Sequence, residues 1–176
     1  MSTTITIPTL QTERLTLRAP MPGDIEAMST FYMSDRSHMF GGPLEPVDTW
    51  RMFAGVIGHW HLLGYGRWTV TMRGGDDTPL GLVGLHNPEG WPEPEIGWMV
   101  YAQAEGKGIA FEASMAARRY AYEVLDWDTC ISLIAPANTR SVALAERMGA
   151  AFEYDFTHAR FGDMKVWRHP GPEALA

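Results

Sequence analysis

A single cysteine among 176 residues rules out an internal disulfide, so the chain is no disulfide-stapled scaffold and is compatible with a reducing cytosol. No apolar run approaches the ~20 residues of a membrane-spanning helix, because Gly, Arg, Asp or Glu interrupts each one. The opening Met1-Ser2-Thr3-Thr4-Ile5-Thr6-Ile7-Pro8 lacks both the basic start and the apolar stretch of a secretory leader. Basic residues are in deficit: 14 Lys plus Arg against 21 Asp plus Glu give a formal charge of −7, which speaks against non-specific binding to nucleic acid or anionic membrane. No repeat, low-complexity tract or linker interrupts the chain. The expectation is a soluble, cytoplasmic protein with one domain over 1–176 and loose ends at about 1–4 and 169–176.

What is present is a succession of short elements, with 18 Gly and 12 Pro supplying the turns between them. Leu15, Leu17 and Ala19 alternate with Arg14, Thr16 and Arg18, the two-residue period of a half-buried strand. Pro20 and Pro22 end it, and Asp24 offers an N-cap for a helix carrying Ile25, Met28 and Phe31 or Tyr32 on one face. Ser34–Leu44 reads as a loop. Pro46 suits the first turn of a second helix, on which Val47, Trp50, Phe53, Ala54, Ile57 and His61 recur and which Gly64 closes. Gly55 and Gly58 each weaken that helix by about 1 kcal/mol relative to alanine, which predicts close packing against them.

Three strands follow: Trp68, Val70 and Met72 mark one, Leu80–Leu85 the next, and Ile96, Trp98 and Val100 the third. Short turns between them predict an antiparallel meander. From Gly106 the period changes, and Ile109, Ala113, Ala116, Tyr120 and Val124 line a long amphipathic helix. Thr129–Ala135 is a buried strand, Asn138–Met148 a shorter helix, and Phe152–Phe156 with Met164–Arg168 a closing hairpin. The predicted fold is therefore α/β: a mixed, mostly antiparallel sheet with about four helices. In it the strand–helix–strand unit Glu95–Ala135 pairs in parallel.

The sharpest local signal is Glu105-Gly106-Lys107-Gly108-Ile109-Ala110, between a strand end and the first turn of the long helix. Glycines there let the backbone approach a ligand, and a helix start presents free N–H groups with partial positive charge. Phosphate binding fits the pattern; so does a plain strand-to-helix turn. A nucleotide-triphosphate P-loop is excluded by the lack of Gly-Lys-Ser or Gly-Lys-Thr. A dinucleotide fingerprint is excluded because its third glycine is Ala110 and the next strand, Thr129–Ala135, carries no acid. Asn138-Thr139-Arg140-Ser141 opens a second helix at the same edge of the sheet, where open α/β sheets bind ligands.

Glu95-Ile96-Gly97-Trp98-Met99-Val100, Glu105 to Ala110, Asn138 to Ser141 and Met148-Gly149-Ala150, in that order, resemble the GNAT acetyltransferase superfamily. With Thr12-Glu13-Arg14-Leu15-Thr16-Leu17-Arg18 they are similar to its RimJ/RimL-type branch of ribosomal-protein N-acetyltransferases, over roughly Leu10 to Arg168. The resemblance implies a splayed pair of central parallel strands with acetyl-CoA in the gap as co-substrate. The backbone after Val100 would bond the pantetheine arm and face the thioester carbonyl. Amides of Gly106, Lys107, Gly108, Ile109 and Ala110 would hold the pyrophosphate, and Asn138 and Ser141 would contact the pantetheine end.

Two positions depart from the resembled pattern. Glu105 stands where Gln or Arg is usual, and a carboxylate there is tolerable only if its side chain turns away. Ala145 stands where many members carry the tyrosine that protonates the thiolate, which leaves Ser141 as the candidate acid, or else a simple helix-start hydroxyl. The incoming amine must be neutral, and a carboxylate can take its proton. Glu95 is the candidate base if its face lines the cleft and a structural residue if it lies under a helix; Glu93 is its competitor.

The expected activity is direct N-acetylation of a primary amine, on a peptide N-terminus or a small molecule. The rivals are a catalytically silent CoA-binding or sensor domain and a transferase for a longer acyl-CoA. No nucleic-acid or membrane partner is expected, and a homodimer is compatible with the resemblance. The histidines at 38, 59, 61, 86, 158 and 169 are scattered. His59 and His61 do not share a helix face, so no metal site is expected. His86 can touch substrate or belong to a loop, Trp91 can line a substrate mouth or pack the loop, and Cys130 reads as buried and inert.

Overall fold

The computed structural model describes residues 5–175. Eight strands form one open sheet: β1 (Leu10–Gln11), β2 (Leu15–Arg18), β3 (Arg67–Met72), β4 (Gly81–His86), β5 (Glu95–Val100), β6 (Ile131–Ile134), β7 (Ala151–His158) and β8 (Gly162–Arg168). Their spatial order is β1-β2-β3-β4-β5-β6-β8-β7, and every neighbouring pair is antiparallel except β5–β6. The helices are α1 (Ile25–Tyr32), α2 (Pro46–Leu63), α3 (Ile109–Glu123) and α4 (Thr139–Arg147). The mixed sheet, its parallel pair and its four α-helices are those expected from the alternation and periodicity of the sequence.

The strand alternation assigns the two faces. Leu15, Leu17, Trp68, Val70, Val83, Leu85 and Ile96 are buried with Ile109, Ala113, Ala117 and Ala121 of α3. Each large side chain withdrawn from water there contributes ~1.5–3 kcal/mol. On the opposite face Leu82, Met99 and Tyr101 pack with Met28, Phe31 and Tyr32 of α1 and Phe53 and Val56 of α2. Beyond the parallel pair, α4 seats Ala145 against Ile134 of β6 and Trp167 of β8.

Several local expectations are corrected. Asp24 stands at the N-cap position of α1 as expected, but its side chain makes no cap bond; its carboxylate is buried, accepts two bonds of 2.8 Å from the Arg18 guanidinium, and also accepts from Met21 N and Thr69 Oγ1. Burial pushes its pKa up, but these partners outweigh it and hold the carboxyl below its usual range. Ser34–Leu44 is not all loop, since Asp35–Phe40 forms a 3₁₀ helix. The buried stripe of α2 is Thr49, Phe53, Val56, His59 and Trp60, while Val47 and Trp50 are exposed. The tail is docked rather than loose over His169–Leu175: His169 is buried, Pro170 O accepts from Tyr122, and Leu175 packs on the core. Residues 1–4, also expected to be loose, lie outside the described residues.

Gly55 and Gly58 do not mark close packing either, because a Cβ added at either would meet nothing within 4 Å. Gly55→Ala and Gly58→Ala are therefore each expected to raise stability by about 1 kcal/mol through helix propensity alone. Chemical denaturation of the two variants checks this, and loss of stability in either would reveal packing on that helix face.

Candidate active site

The parallel pair is joined at one register position, Glu95 opposite Ile131. Past it, side chains replace the ladder. Ser132 Oγ donates to Ile96 O at 2.7 Å, and the Glu95 carboxylate accepts from Leu133 N at 3.0 Å. Tyr101 N donates to Leu80 O at 2.8 Å, which fixes the alternation of β5. Odd-numbered residues of β5 bond to β4, while the main-chain groups of Ile96, Trp98 and Val100 point toward β6. With β6 diverging, Trp98 and Val100 face a gap. The N–H after Val100, that of Tyr101, is thus already engaged by β4, and Val100's own N–H is the one directed into the opening.

The chain then runs through a 3₁₀ turn, Ala102–Ala104, into the glycine loop. Gly106 and Gly108 have φ of 70° and 75°, in the left-handed region that favours glycine. Among the described residues no well-directed protein acceptor engages the N–H groups from Gly106 to Phe111. They form a concave set of donors at the positive end of a 15-residue helix. Thr12 and Arg14 anchor that end: Thr12 Oγ1 and Arg14 N and Nε all donate to the Glu112 carboxylate, and Arg14 Nη1 donates to Lys107 O. Lys107 Nζ folds back on Gln103 O at 2.7 Å. The Glu105 carboxylate turns away from the amides to pair with Arg36 and, at 3.0 Å, with Arg140.

At the start of α4, Asn138 Oδ1 accepts from Ser141 N at 3.2 Å, a helix N-cap. Ser141 is nearly buried, and its Oγ accepts from Trp98 Nε1 at 3.1 Å. That bond occupies a lone pair and leaves the hydroxyl proton free to be donated. Trp98 also packs against the cluster holding fully buried Ala145. An indole from β5 thus reaches the neighbourhood where a tyrosine from α4 would need room.

Glu95 lies on the α1/α2 face of β5 and is buried. The groups recorded around its carboxyl are Gly97, Trp91, Arg67 and Leu133 N, all from strands and the β4–β5 loop rather than from a helix. Burial raises its pKa, with Leu133 N–H and the Arg67 charge opposing. Glu93 is differently placed. Arg168 grips it through two bonds of 2.6 and 2.7 Å, and this guanidinium holds its carboxyl below the usual range. A carboxylate so paired is a poor proton acceptor.

His59 is structural: Nδ1 donates to Tyr65 O and Nε2 accepts from Asn87 N, tying α2 to the β4–β5 loop. His86 stacks on His59, and Trp91 packs edge-on against His86 and His158. Cys130 is buried, its thiol pushed up to about 11 by burial. Among the described residues no cluster of three or more His, Cys, Asp or Glu is placed to hold a metal ion. Arg36, Arg67 and Trp98 are the site residues that sequence reasoning missed. Each reads locally as solvated charge or as core, and only the tertiary fold brings it to the cleft. A cavity of about 470 Å³ between β1 and α3, lined by Leu10, Met115 and Tyr120, meets the α3 anchor at Thr12 and Glu112 but not the glycine-loop amides, Glu95 or Ser141.

The sheet parted between two parallel strands, with an open amide cradle at the parting, places the molecule among the acetyltransferase folds. The GNAT acetyltransferase domain model matches residues 14–151, and the chain belongs to that family. An acetyltransferase from Agrobacterium tumefaciens str. C58 shares 35% identity over 96% of this chain and 98% of its own, with a TM-score of 0.84. Spermidine N-acetyltransferase from Vibrio cholerae, solved with CoA and spermine, superposes with a TM-score of 0.74 at 22% identity, over 94% of this chain and 100% of its own. RimL, the ribosomal L7/L12 alpha-N-protein acetyltransferase, solved with coenzyme A, does so with 0.72 at 16%, over 93% and 98%. At those identities the last two share the fold.

Proposed function

We propose that the protein transfers an acetyl group from acetyl-CoA directly to a primary amine, within a branch that includes the RimJ/RimL-type enzymes. The observation that carries this reading is the set of unengaged main-chain donors from Gly106 to Phe111, at the mouth of the gap between β5 and β6. Such a cradle suits a diphosphate, and it supplies local attraction in a chain whose net charge of −7 repels polyanions at long range. Gly106, Lys107, Gly108, Ile109 and Ala110 hold the diphosphate through their amides. The exposed main chain of Trp98 and Val100 lies along the pantetheine arm, with Asn138 and Ser141 across the gap. When bound, the thioester supplies an activated acyl carbon and a good leaving group.

The chain's own residues manage charge and protons. Glu95 takes the proton from the amine, directly or through a water, so that nitrogen presents a lone pair. Val100 N–H donates to the carbonyl oxygen as negative charge develops there. The C–N bond forms and the C–S bond breaks; Ser141 Oγ or a water gives its proton to the departing sulfur and is restored by the proton that the nitrogen sheds in becoming an amide. No acyl-enzyme intermediate is required.

The test is release of free CoA thiol across a panel of primary amines, alongside calorimetric binding of CoA. Binding without thiol release from any amine would leave a silent CoA-binding domain. Preferential competition by a longer acyl-CoA would change the donor. Because Trp98 orients the Ser141 hydroxyl, Ser141→Ala and Trp98→Phe are each expected to lower kcat by about 10-fold or more while KM for acetyl-CoA changes little. The double variant is expected to be no worse than Ser141→Ala alone. Additive losses would mean that Trp98 acts only through packing.

A further inference from the structure

On the α1/α2 face of the sheet, register places Arg67 opposite Gly84, and Gly84 opposite Gly97. Residues so paired share a face, so the guanidinium of Arg67 stands beside a floor made by two residues without side chains. A Cβ added to Gly97 would meet only the Glu95 carboxylate, at 3.3 and 3.8 Å, and otherwise open space. A Cβ at Gly84 would run into the backbone of Gly66 and Arg67, so the open space lies over Gly97, with the candidate base at one border. At the other, Arg67 Nη2 lies 2.9 Å from Nε2 and 3.0 Å from Nδ1 of His86.

Arg67 is half-buried and, among the described residues, makes no ion pair within 4.0 Å. Asp24 and Glu93 are matched by Arg18 and Arg168. Glu95 has no cationic partner within 4.0 Å among the described residues: its Oε2 accepts from Leu133 N and its Oε1 faces the space over Gly97. Arg67 Nη2 nonetheless reaches His86, whose ring stacks on His59 and meets Trp91 edge-on, so the guanidinium lies against this face rather than out in solvent. His86 is held neutral by burial and by that same charge, so it offers Arg67 no counter-ion. An unmatched guanidinium in a half-buried hollow, in a chain with surplus acid, is costly unless an anion meets it.

We infer that Arg67 is the anion-binding residue of the acceptor site, and that the acceptor is a small amino-carboxylate whose amine lies toward Glu95 and whose carboxylate pairs with Arg67 across the Gly84–Gly97 floor. This rests on the acetyl-transfer reading and narrows it to a substrate class. Guanidinium matches a carboxylate through two parallel N–H bonds, so the pair selects geometry as well as charge. A polyamine would set a cation against Arg67 and be disfavoured.

The experiment compares each common L-amino acid with its carboxamide as acceptor, by thiol release. It also compares the corresponding N-acetyl amino acids with their N-acetyl carboxamides as ligands, by calorimetry with CoA in excess. For the best acceptor pair, kcat/KM is expected to favour the carboxylate by about 10- to 100-fold, the range of one charge-assisted pair. Arg67→Gln is expected to bring that ratio to about 1, and Arg67→Lys to restore part of it. Turnover of amines with no carboxylate preference, or a preference that survives Arg67→Gln, overturns the inference and leaves acetyl transfer standing. If no amine releases thiol but an N-acetyl amino acid binds better than its carboxamide through Arg67, the anion site stands and the transfer reading falls. Absence of carboxylate preference in both turnover and binding overturns the inference.

Discussion

Replacing Glu95 by glutamine is expected to lower kcat by about 10²- to 10⁴-fold, the usual worth of a positioned general base, with a much smaller change in affinity for CoA. The substitution is close to isosteric, and the glutamine oxygen can still accept from Leu133 N, so the parallel pair keeps its side-chain bridge. The pH profile adds a second mark. Burial raises the Glu95 pKa, so the ionised form that accepts a proton appears later on the pH axis than for an ordinary carboxylate. The acidic limb of kcat/KM should therefore rise through an apparent pKa above 4.5 in the wild type, and the Glu95 contribution to it should vanish in the variant. Stability moves the other way. A carboxyl raised in the folded state favours folding most below its unfolded pKa and loses that contribution as pH climbs through the folded value. Denaturation midpoints across that window should fall with pH more steeply for wild type than for Glu95→Gln. Equal profiles for both would remove Glu95 from proton transfer.

Gly108→Glu is expected to weaken CoA binding by at least about 100-fold. Two effects act together. The residue has φ of 75°, where an L side chain costs about 1–2 kcal/mol, and the new carboxylate stands at the positive helix end that an anion must reach. A Cβ there would lie 3.4 Å from Arg14 Nη2, so the new acid also competes with Glu112 for Arg14 and loosens the anchor of α3. Gly108→Asn separates the two effects, because asparagine tolerates this conformation without charge. Its loss should be several-fold. Calorimetric titration with CoA reads both, and undiminished affinity in Gly108→Glu would mean that the diphosphate sits elsewhere.

Much of this fold was legible because its signals are local. Leu15 and Leu17, then Trp68 and Val70, announce buried strand faces by strict alternation, and the glycine loop announces its helix start. The errors arose where distant groups decide. α2 is apolar on more than one side, so its periodicity points to Val47 and Trp50 as well as to Phe53, whereas packing against α1 and β4 buries Phe53 together with Val56. Asp24 has a cap residue's type and position, but Arg18 and Thr69 claim its carboxylate. In the site, Glu93 and Glu95 are two apart on one extended segment and look alike as bases. Arg168, 75 residues away, separates them. Arg67 alternates with buried Trp68 and so reads as a surface residue; only its register with Gly84 and Gly97 shows that it borders a hollow.

Five strands on one side and three on the other meet at one rung, Glu95 opposite Ile131. Beyond that rung the two halves are stitched by side chains, Ser132 to Ile96 O and Glu95 to Leu133 N. The proposed base is therefore also a structural tie, and a residue too short to reach Leu133 there would cost the seam a bond as well as removing a proton acceptor.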